Sequence, residues 1–78
     1  MSTTFERVQK IIVERLQVKP EEVVPTAKLR EDLKVDSLYL VELLNDLEDE
    51  FGFTISEDET KDVATVEDVV KLVDKKLA

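Results

Sequence analysis

The sequence predicts an all-α protein, a small up-and-down-like four-helix bundle with three main helices, one short helix and a long first loop. Apolar residues recur at three- and four-residue intervals in three segments, which is the spacing of one face of an α-helix. Capping signatures precede the helices, and both prolines fall between the first two main helices. Because 78 residues bury only one small core, we expect a single domain over residues 1–78.

The first helix is predicted from Thr4 to Gln17. Thr3 and Glu6 have the spacing of a capping box, in which each side chain accepts a hydrogen bond from the other residue's backbone. The apolar face that follows consists of Phe5, Val8, Ile12 and Leu16. These residues predict packing against the core, and none of them indicates a catalytic or binding role.

The connection between the first two main helices covers residues 18–35. Pro20 is suited to start one helical turn, because proline fits the first position of a helix. Four apolar side chains are expected to anchor the connection on the bundle: Val23, Val24, Leu29 and Leu33. A loop this long in a small domain is often functional. Here we expect it to bring Ser37 to the surface at a fixed place.

The second main helix, which ends at Phe51, is the segment around which the chain is organised. Asp36 or Ser37 is suited to cap its start, and Gly52 stands where a left-handed residue would end it. Its inward stripe is predicted as Leu40, Leu43, Leu44, Leu47 and Phe51.

Two more helices are predicted after Gly52. Ser56 and Glu59 have capping-box spacing and indicate a short helix near Glu57 to Asp62, while Thr65 marks the start of the last helix. The apolar face of that helix is predicted as Val66, Val69, Val70, Val73 and Leu77. The aliphatic core could open to accept a hydrocarbon chain, although an ordinary core is the plainer interpretation.

The outward side of the second main helix has two unusual features. An apolar spot ringed by carboxylates is predicted there, made of Leu38, Val41, Glu42, Asn45, Glu48 and Asp49. Such a surface favours a basic, partly apolar partner, but two stray aliphatic side chains on a helix need no function. Ser37 lies where free backbone N–H groups and the helix dipole favour a phosphate, but capping alone would also explain it.

The acidic charge is concentrated in one part of the chain. Residues 35–60 hold nine acidic and no basic side chains, in a protein whose net charge is −8. Such a surface is a poor match for nucleic acid or an anionic membrane and a good match for a basic protein patch.

The chain contains no cysteine and no histidine. A self-contained hydrolase or metalloenzyme is therefore not expected, because the chain lacks a thiol, a Ser-His-Asp triad and the commonest zinc ligand. No apolar run approaches the ~20 residues of a membrane span, and the N-terminus has no signal-peptide pattern. We expect a soluble protein of the cytoplasm that binds no metal.

Three segments in and before the second main helix stand out: Asp32-Leu33-Lys34-Val35-Asp36-Ser37-Leu38, Val41-Glu42-Leu43 and Leu47-Glu48-Asp49-Glu50-Phe51. Together they resemble the attachment motif and recognition helix of acyl carrier proteins. The likeness covers essentially the whole chain. Lys34 departs from the family, which usually has Gly there, and Tyr39 stands at a position that is often acidic. If position 34 needs a positive φ, lysine adopts it with some strain.

The resemblance implies that Ser37 forms a phosphodiester with 4′-phosphopantetheine, whose thiol carries acyl groups as thioesters. It also implies an external phosphopantetheinyl transferase, with Asp36 helping that enzyme to hold its metal ion. Because the chain has no thiol, such a cofactor arm would supply the sulfur. The protein would be a monomeric, non-catalytic carrier of growing acyl chains.

The six outward residues, Leu38, Val41, Glu42, Asn45, Glu48 and Asp49, would then be a docking face for the basic patches of the transferase and of fatty acid synthesis enzymes. Reversing Glu42 and Glu48 to Lys is expected to weaken docking and leave the fold intact. Two alternatives remain open. One is a carrier for polyketide or aminoacyl thioester assembly, and the other is an acidic adaptor that is never modified.

Overall fold

Four α-helices make up the fold, which the computed structural model describes over residues 3–78. Their bounds are Thr4–Leu16 for α1, Ser37–Phe51 for α2, Glu57–Thr60 for α3 and Val66–Leu77 for α4. α1 packs against α2 and α4, and α2 also packs against α4. The predicted all-α bundle of three main helices and one short helix is confirmed, with no strand in residues 3–78.

The predicted capping residues begin the helices. At α1 the Thr3 hydroxyl accepts a hydrogen bond from the Glu6 N–H at 3.1 Å, and the Glu6 carboxylate accepts one from the Thr3 N–H at 3.2 Å. Thr65 forms the same reciprocal pair at the start of α4. α1 ends one residue before the predicted limit, because Gln17 adopts a left-handed conformation with φ of +56°.

The short helix α3 ends at Thr60 rather than at the predicted Asp62. The Val63 N–H donates to the Thr60 carbonyl at 3.2 Å. This bond spans three residues, as in a turn, rather than the four of an α-helix. The predicted helical turn after the first helix is present as a 3₁₀ turn over Pro20–Glu22.

The core lies between α1, α2, α4 and the long loop. The side chains without any exposed surface are Val8, Ile12, Val23, Leu43, Leu47, Val66, Val69 and Val73. The rest of the predicted stripe of α2 packs against this core from its edge and consists of Leu40, Leu44 and Phe51. At the end of α4 the predicted face is wrong, because Leu77 is 49% exposed and Leu72 is buried instead.

The long loop is held against the start of α4 by backbone hydrogen bonds. The Val66 N–H donates to the Ala27 carbonyl at 3.0 Å, and the Leu29 N–H donates to the Ala64 carbonyl at 2.9 Å. The first N–H groups of a helix have no partner inside it. The loop therefore supplies an acceptor that α4 needs, and its position is fixed in return.

Side chains anchor the same loop in the core. Three of the four predicted anchors are buried: Val23, Leu29 and Leu33. The prediction for Val24 is wrong, because this side chain is 42% exposed. Ala27 and Val35 are also buried. The Ala27 carbonyl accepts the Val66 N–H of α4, and the Val35 N–H donates to the Leu29 carbonyl within the loop.

An ion pair joins α3 to the end of α4. The Lys76 Nζ donates to the Glu59 Oε1 at 2.6 Å, and the side chains are only 25% and 23% exposed. This bond, together with the N–H of Ser56, lowers the pKa of Glu59 from 4.5 to about 2. The contact holds a helix that has only four residues and needs packing to persist.

Glu59→Gln should therefore lower the free energy of unfolding in a pH-dependent way. A carboxylate whose pKa falls on folding stabilises the folded state above its unfolded pKa, and that contribution is lost as the pH falls through the folded pKa. The difference between wild type and Glu59→Gln should be largest above pH 4.5 and should shrink towards pH 2. Urea unfolding followed by circular dichroism at several pH values measures it.

The matched control for this prediction is Glu57→Gln, which removes a charge from the same helix without touching Lys76. A pH-independent difference between wild type and Glu59→Gln would contradict the role of the ion pair.

Candidate functional site

Asp36 and Ser37 lie at the start of α2. Asp36 is the N-cap, and its Oδ1 accepts a hydrogen bond from the Tyr39 N–H at 2.9 Å. Its carbonyl accepts the Leu40 N–H at 2.9 Å, which begins the helical pattern. Ser37 is therefore the first helical residue, and both Asp36 and Ser37 are exposed.

The residues just before this helix start are fixed in place. Val35 is 2% exposed, and its N–H donates to the Leu29 carbonyl at 2.8 Å. Lys34 adopts φ of +59°, the left-handed conformation that the family's usual glycine would favour. The Lys34 Nζ donates to the Glu31 carbonyl at 3.1 Å. The chain thus turns sharply at Lys34 so that Val35 enters the core and Ser37 stays outside.

The start of α2 has free groups suited to a phosphate. Within residues 3–78, the N–H groups of Ser37 and Leu38 have no acceptor, and the Ser37 hydroxyl has no hydrogen-bond partner. Such N–H groups and the positive end of the helix dipole favour an anion. The exposed hydroxyl can be esterified without moving a buried group, so these residues fit a covalently attached phosphate.

Four residues of the predicted docking face are exposed along one side of α2. Leu38 is 68% and Val41 is 55% exposed, more than any other large aliphatic side chain in residues 3–78. Asn45 and Asp49 follow them along the helix and are exposed as well. These four residues form a continuous strip that begins directly beside Ser37.

The other two residues of the predicted docking face, Glu42 and Glu48, bind other residues of the same chain. The Glu42 Oε2 lies 3.4 Å from the Arg15 Nη1, on the side that faces α1. The Glu48 Oε2 accepts the Ile55 N–H at 2.7 Å and so holds the segment between α2 and α3. Lysine at position 48 cannot accept this bond, so the segment before α3 would lose a contact on charge reversal, and the effect of the Glu42 and Glu48 reversal on docking and on the fold stays a prediction.

Arg15 was not singled out by sequence reasoning, although it binds carboxylates of α2 at one edge of the predicted docking face. Its guanidinium donates to both oxygens of Asp46, at 2.6 and 2.7 Å. These bonds raise the pKa of Arg15 above its ordinary value. A paired, planar contact of this kind fixes direction as well as distance. No signal in the sequence reveals it, because the partners belong to helices separated by the long loop.

The comparisons with known proteins agree with this geometry. A family model described as a phosphopantetheine attachment site matches residues 6–73. The chain belongs to the acyl carrier protein family. It is also similar to a solved structure from Mycobacterium tuberculosis that is provisionally described as an acyl carrier protein, with 32% identity and a TM-score of 0.87. That match covers 94% of this chain and 97% of the other.

Membership of this family confirms the resemblance stated from the sequence and defines the cofactor. The domain is one to which 4′-phosphopantetheine is attached covalently, and carriers of this family bind acyl cargo and partner enzymes. Within residues 3–78 no helix is long and apolar enough to cross a bilayer. In the same described part of the chain, no cluster of three or more acidic side chains is arranged to hold a metal ion.

Lys34→Gly should be more stable to unfolding than Lys34→Ala, by about 1 kcal/mol. A Cβ atom in the left-handed conformation costs about 1–2 kcal/mol, and the greater freedom of glycine in the unfolded chain offsets only part of this. The comparison with alanine is matched, because both variants lose the amine that contacts Glu31. Urea unfolding measures the difference, and equal stability of the two variants would contradict strain at this turn.

Proposed function

We propose that this chain carries growing acyl chains as thioesters on a 4′-phosphopantetheine arm attached to Ser37, and presents them to enzymes of fatty acid synthesis. The observation that carries the proposal is the Ser37 hydroxyl. It is exposed at the first position of α2, makes no hydrogen bond within residues 3–78, and lies inside the matched region 6–73.

Ser37 needs an external enzyme for its modification. The chain has no histidine, and the carboxylate of the preceding residue, Asp36, already uses Oδ1 to cap α2. The Oδ2 of Asp36 has no hydrogen-bond partner in residues 3–78, and the residue is exposed and precedes the serine in the chain. In our proposal this oxygen binds the metal ion of the transferase, while Oδ1 keeps the helix start in place. One carboxylate thus serves both the fold and the modification.

The docking face supports transient association with basic partners. Leu38 and Val41 supply exposed apolar area, and Asp49 supplies a carboxylate that makes no ion pair within residues 3–78. Exposed charge pairs speed encounter but contribute only about 0–1 kcal/mol each, so a carrier can leave one enzyme for the next. Glu42 and Glu48 contribute at the edge of this face, oriented by Arg15 and by the Ile55 amide.

The pathway is the most specific part of the proposal. The acidic surface and the Val41-Glu42-Leu43 segment favour fatty acid synthesis over polyketide or aminoacyl thioester assembly. Location in the cytoplasm, a monomeric state and a lack of catalytic activity of its own stay predictions from the sequence.

The first test is modification of the purified protein with coenzyme A and a phosphopantetheinyl transferase, followed by intact mass. Wild type should gain one phosphopantetheinyl group, and Ser37→Ala should gain none. Ser56→Ala is the matched control, because Ser56 is also an exposed serine at a helix start, and it should be modified like wild type. An unmodified wild type would support the acidic adaptor instead.

Asp36 variants separate its two roles. Asp36→Asn should keep the cap and a stability close to that of wild type, whereas Asp36→Ala should lose about 1 kcal/mol. Both variants should lower the transferase kcat/KM on the order of tenfold, because neither offers a carboxylate to the metal ion. Urea unfolding and modification rates measure the two effects. Full activity of Asp36→Asn would leave Asp36 with a capping role only.

Charge reversal at Asp49 tests the docking face without disturbing the fold. Asp49→Lys should raise the transferase KM by about three- to tenfold at low salt, and the effect should diminish as salt screens the surface. Asp74→Lys makes the same charge change at an exposed position of α4 and should behave like wild type. Equal KM values for the two variants would argue against docking through this side of α2.

A further inference from the structure

Glu42 and Asp46 form a site for a guanidinium on the side of α2 that faces α1. They are four positions apart, so their side chains are neighbours on one side of the helix. Arg15 of α1 occupies this site. Its Nε and Nη2 donate to the two oxygens of Asp46 at 2.6 and 2.7 Å, and its Nη1 donates to the Glu42 Oε2 at 3.4 Å. One carboxylate of the predicted docking face is therefore already bound to a cation of the same chain.

The two contacts of Arg15 differ in geometry. The contact with Asp46 is short and paired, which fixes the guanidinium in direction as well as distance. The contact with Glu42 is a single bond at 3.4 Å, longer than the usual range of about 2.7 to 3.2 Å for such bonds. The Glu42 side chain is also 40% exposed. Glu42 can thus exchange its cationic partner while Arg15 stays bound to Asp46.

This contact lies where a docked enzyme would reach it. Glu42 is five positions after Ser37, roughly 7.5 Å along the helix axis. An open groove of about 560 Å³ between α1 and α2 is lined by Arg15, Asp46 and Asp49. Asp49 belongs to the docking face, so the guanidinium of Arg15 lies at the edge of that face. A basic partner that covers Ser37 and Asp49 meets this cation, and like charges repel.

We propose that Arg15 competes with a cationic side chain of the partner enzyme for Glu42, and so sets how tightly basic partners dock on α2. This inference rests on the proposed function, because it concerns the enzyme that modifies Ser37. In the free protein Arg15 neutralises part of the docking face. On docking, the partner's cation takes the Glu42 carboxylate, and Arg15 keeps its paired bonds to Asp46. The exchange reduces the net gain of docking, which suits a carrier that must leave each enzyme.

Removing Arg15 should strengthen docking. Arg15→Gln should lower the transferase KM for the purified, unmodified protein about threefold at low salt, the size that one or two exposed charge pairs provide, with kcat unchanged. The effect should diminish as salt screens the surface. A merely structural role would not lower KM, because a loosened contact between α1 and α2 gives the transferase a less ordered surface. An unchanged or raised KM for Arg15→Gln would overturn the inference.

Arg7→Gln is the matched control. Arg7 is also an arginine of α1 that pairs with α2, since its Nη2 lies 3.2 Å from the Glu50 Oε2, but Glu50 is not part of the docking face. This variant changes the net charge by the same amount and should have a KM close to that of wild type. An equal fall in KM for both arginine variants would assign the effect to net charge alone, against competition at Glu42.

Arg15→Lys separates charge from geometry. Lysine keeps the positive charge but cannot form the paired contact with Asp46, so the KM should stay close to that of wild type. A fall as large as that of Arg15→Gln would mean that the charge of residue 15 is not the cause, and competition would be ruled out.

Glu42→Gln tests which carboxylate is released. In a Glu42→Gln background, Arg15→Gln should no longer lower the KM. A fall of the same size in both backgrounds would assign the effect to Asp46 and contradict competition for Glu42. The wild type separates this inference from the proposed function. A wild type that gains no arm overturns both, whereas a modified wild type whose KM equals that of Arg15→Gln overturns the inference alone.

Discussion

The backbone hydrogen bonds and the burial of Leu29 hold the long loop in place, and the position of Ser37 depends on them. The Leu29 N–H donates to the Ala64 carbonyl, its carbonyl accepts the Val35 N–H, and its side chain is 2% exposed. One residue of the long loop is thereby bonded to the segment before α4 and to the segment before α2. Because unpaired backbone groups are costly in a buried position, the loop cannot shift without breaking both contacts. The position of Ser37 on the surface follows from this.

The strained turn at Lys34 is a consequence of the same constraint. Val35 must point into the core, while Ser37, two residues later, must begin an exposed helix. The backbone conformation changes between these two residues and the loop before them, and Lys34 adopts φ of +59° there. A backbone strain of this kind persists only where the surrounding contacts determine it. Here the buried Leu33 on one side of Lys34 and the buried Val35 on the other do so.

The nine acidic side chains of residues 35–60 have different surroundings in the folded protein, although the sequence places no basic residue among them. Of these nine residues, five face basic side chains that come from other segments, namely Glu42, Asp46, Glu50, Asp58 and Glu59. Most of these pairs are exposed and add little to stability. Asp49 makes no ion pair within residues 3–78 and is exposed on the predicted docking face, along the same side of α2 as Leu38 and Val41.

The sequence by itself determined the helices, their caps and the attachment motif, because these depend on residues within one or two turns of each other. Thr3, Asp36 and Thr65 cap their helices through side chains that bond three residues ahead. Tertiary structure decided what depends on contacts between distant segments. Three features show this: Val24 is exposed, Glu48 accepts the Ile55 N–H, and Arg15 pairs with Asp46. Each depends on how the loop and helices pack, because no local spacing encodes which partner a side chain meets across the bundle.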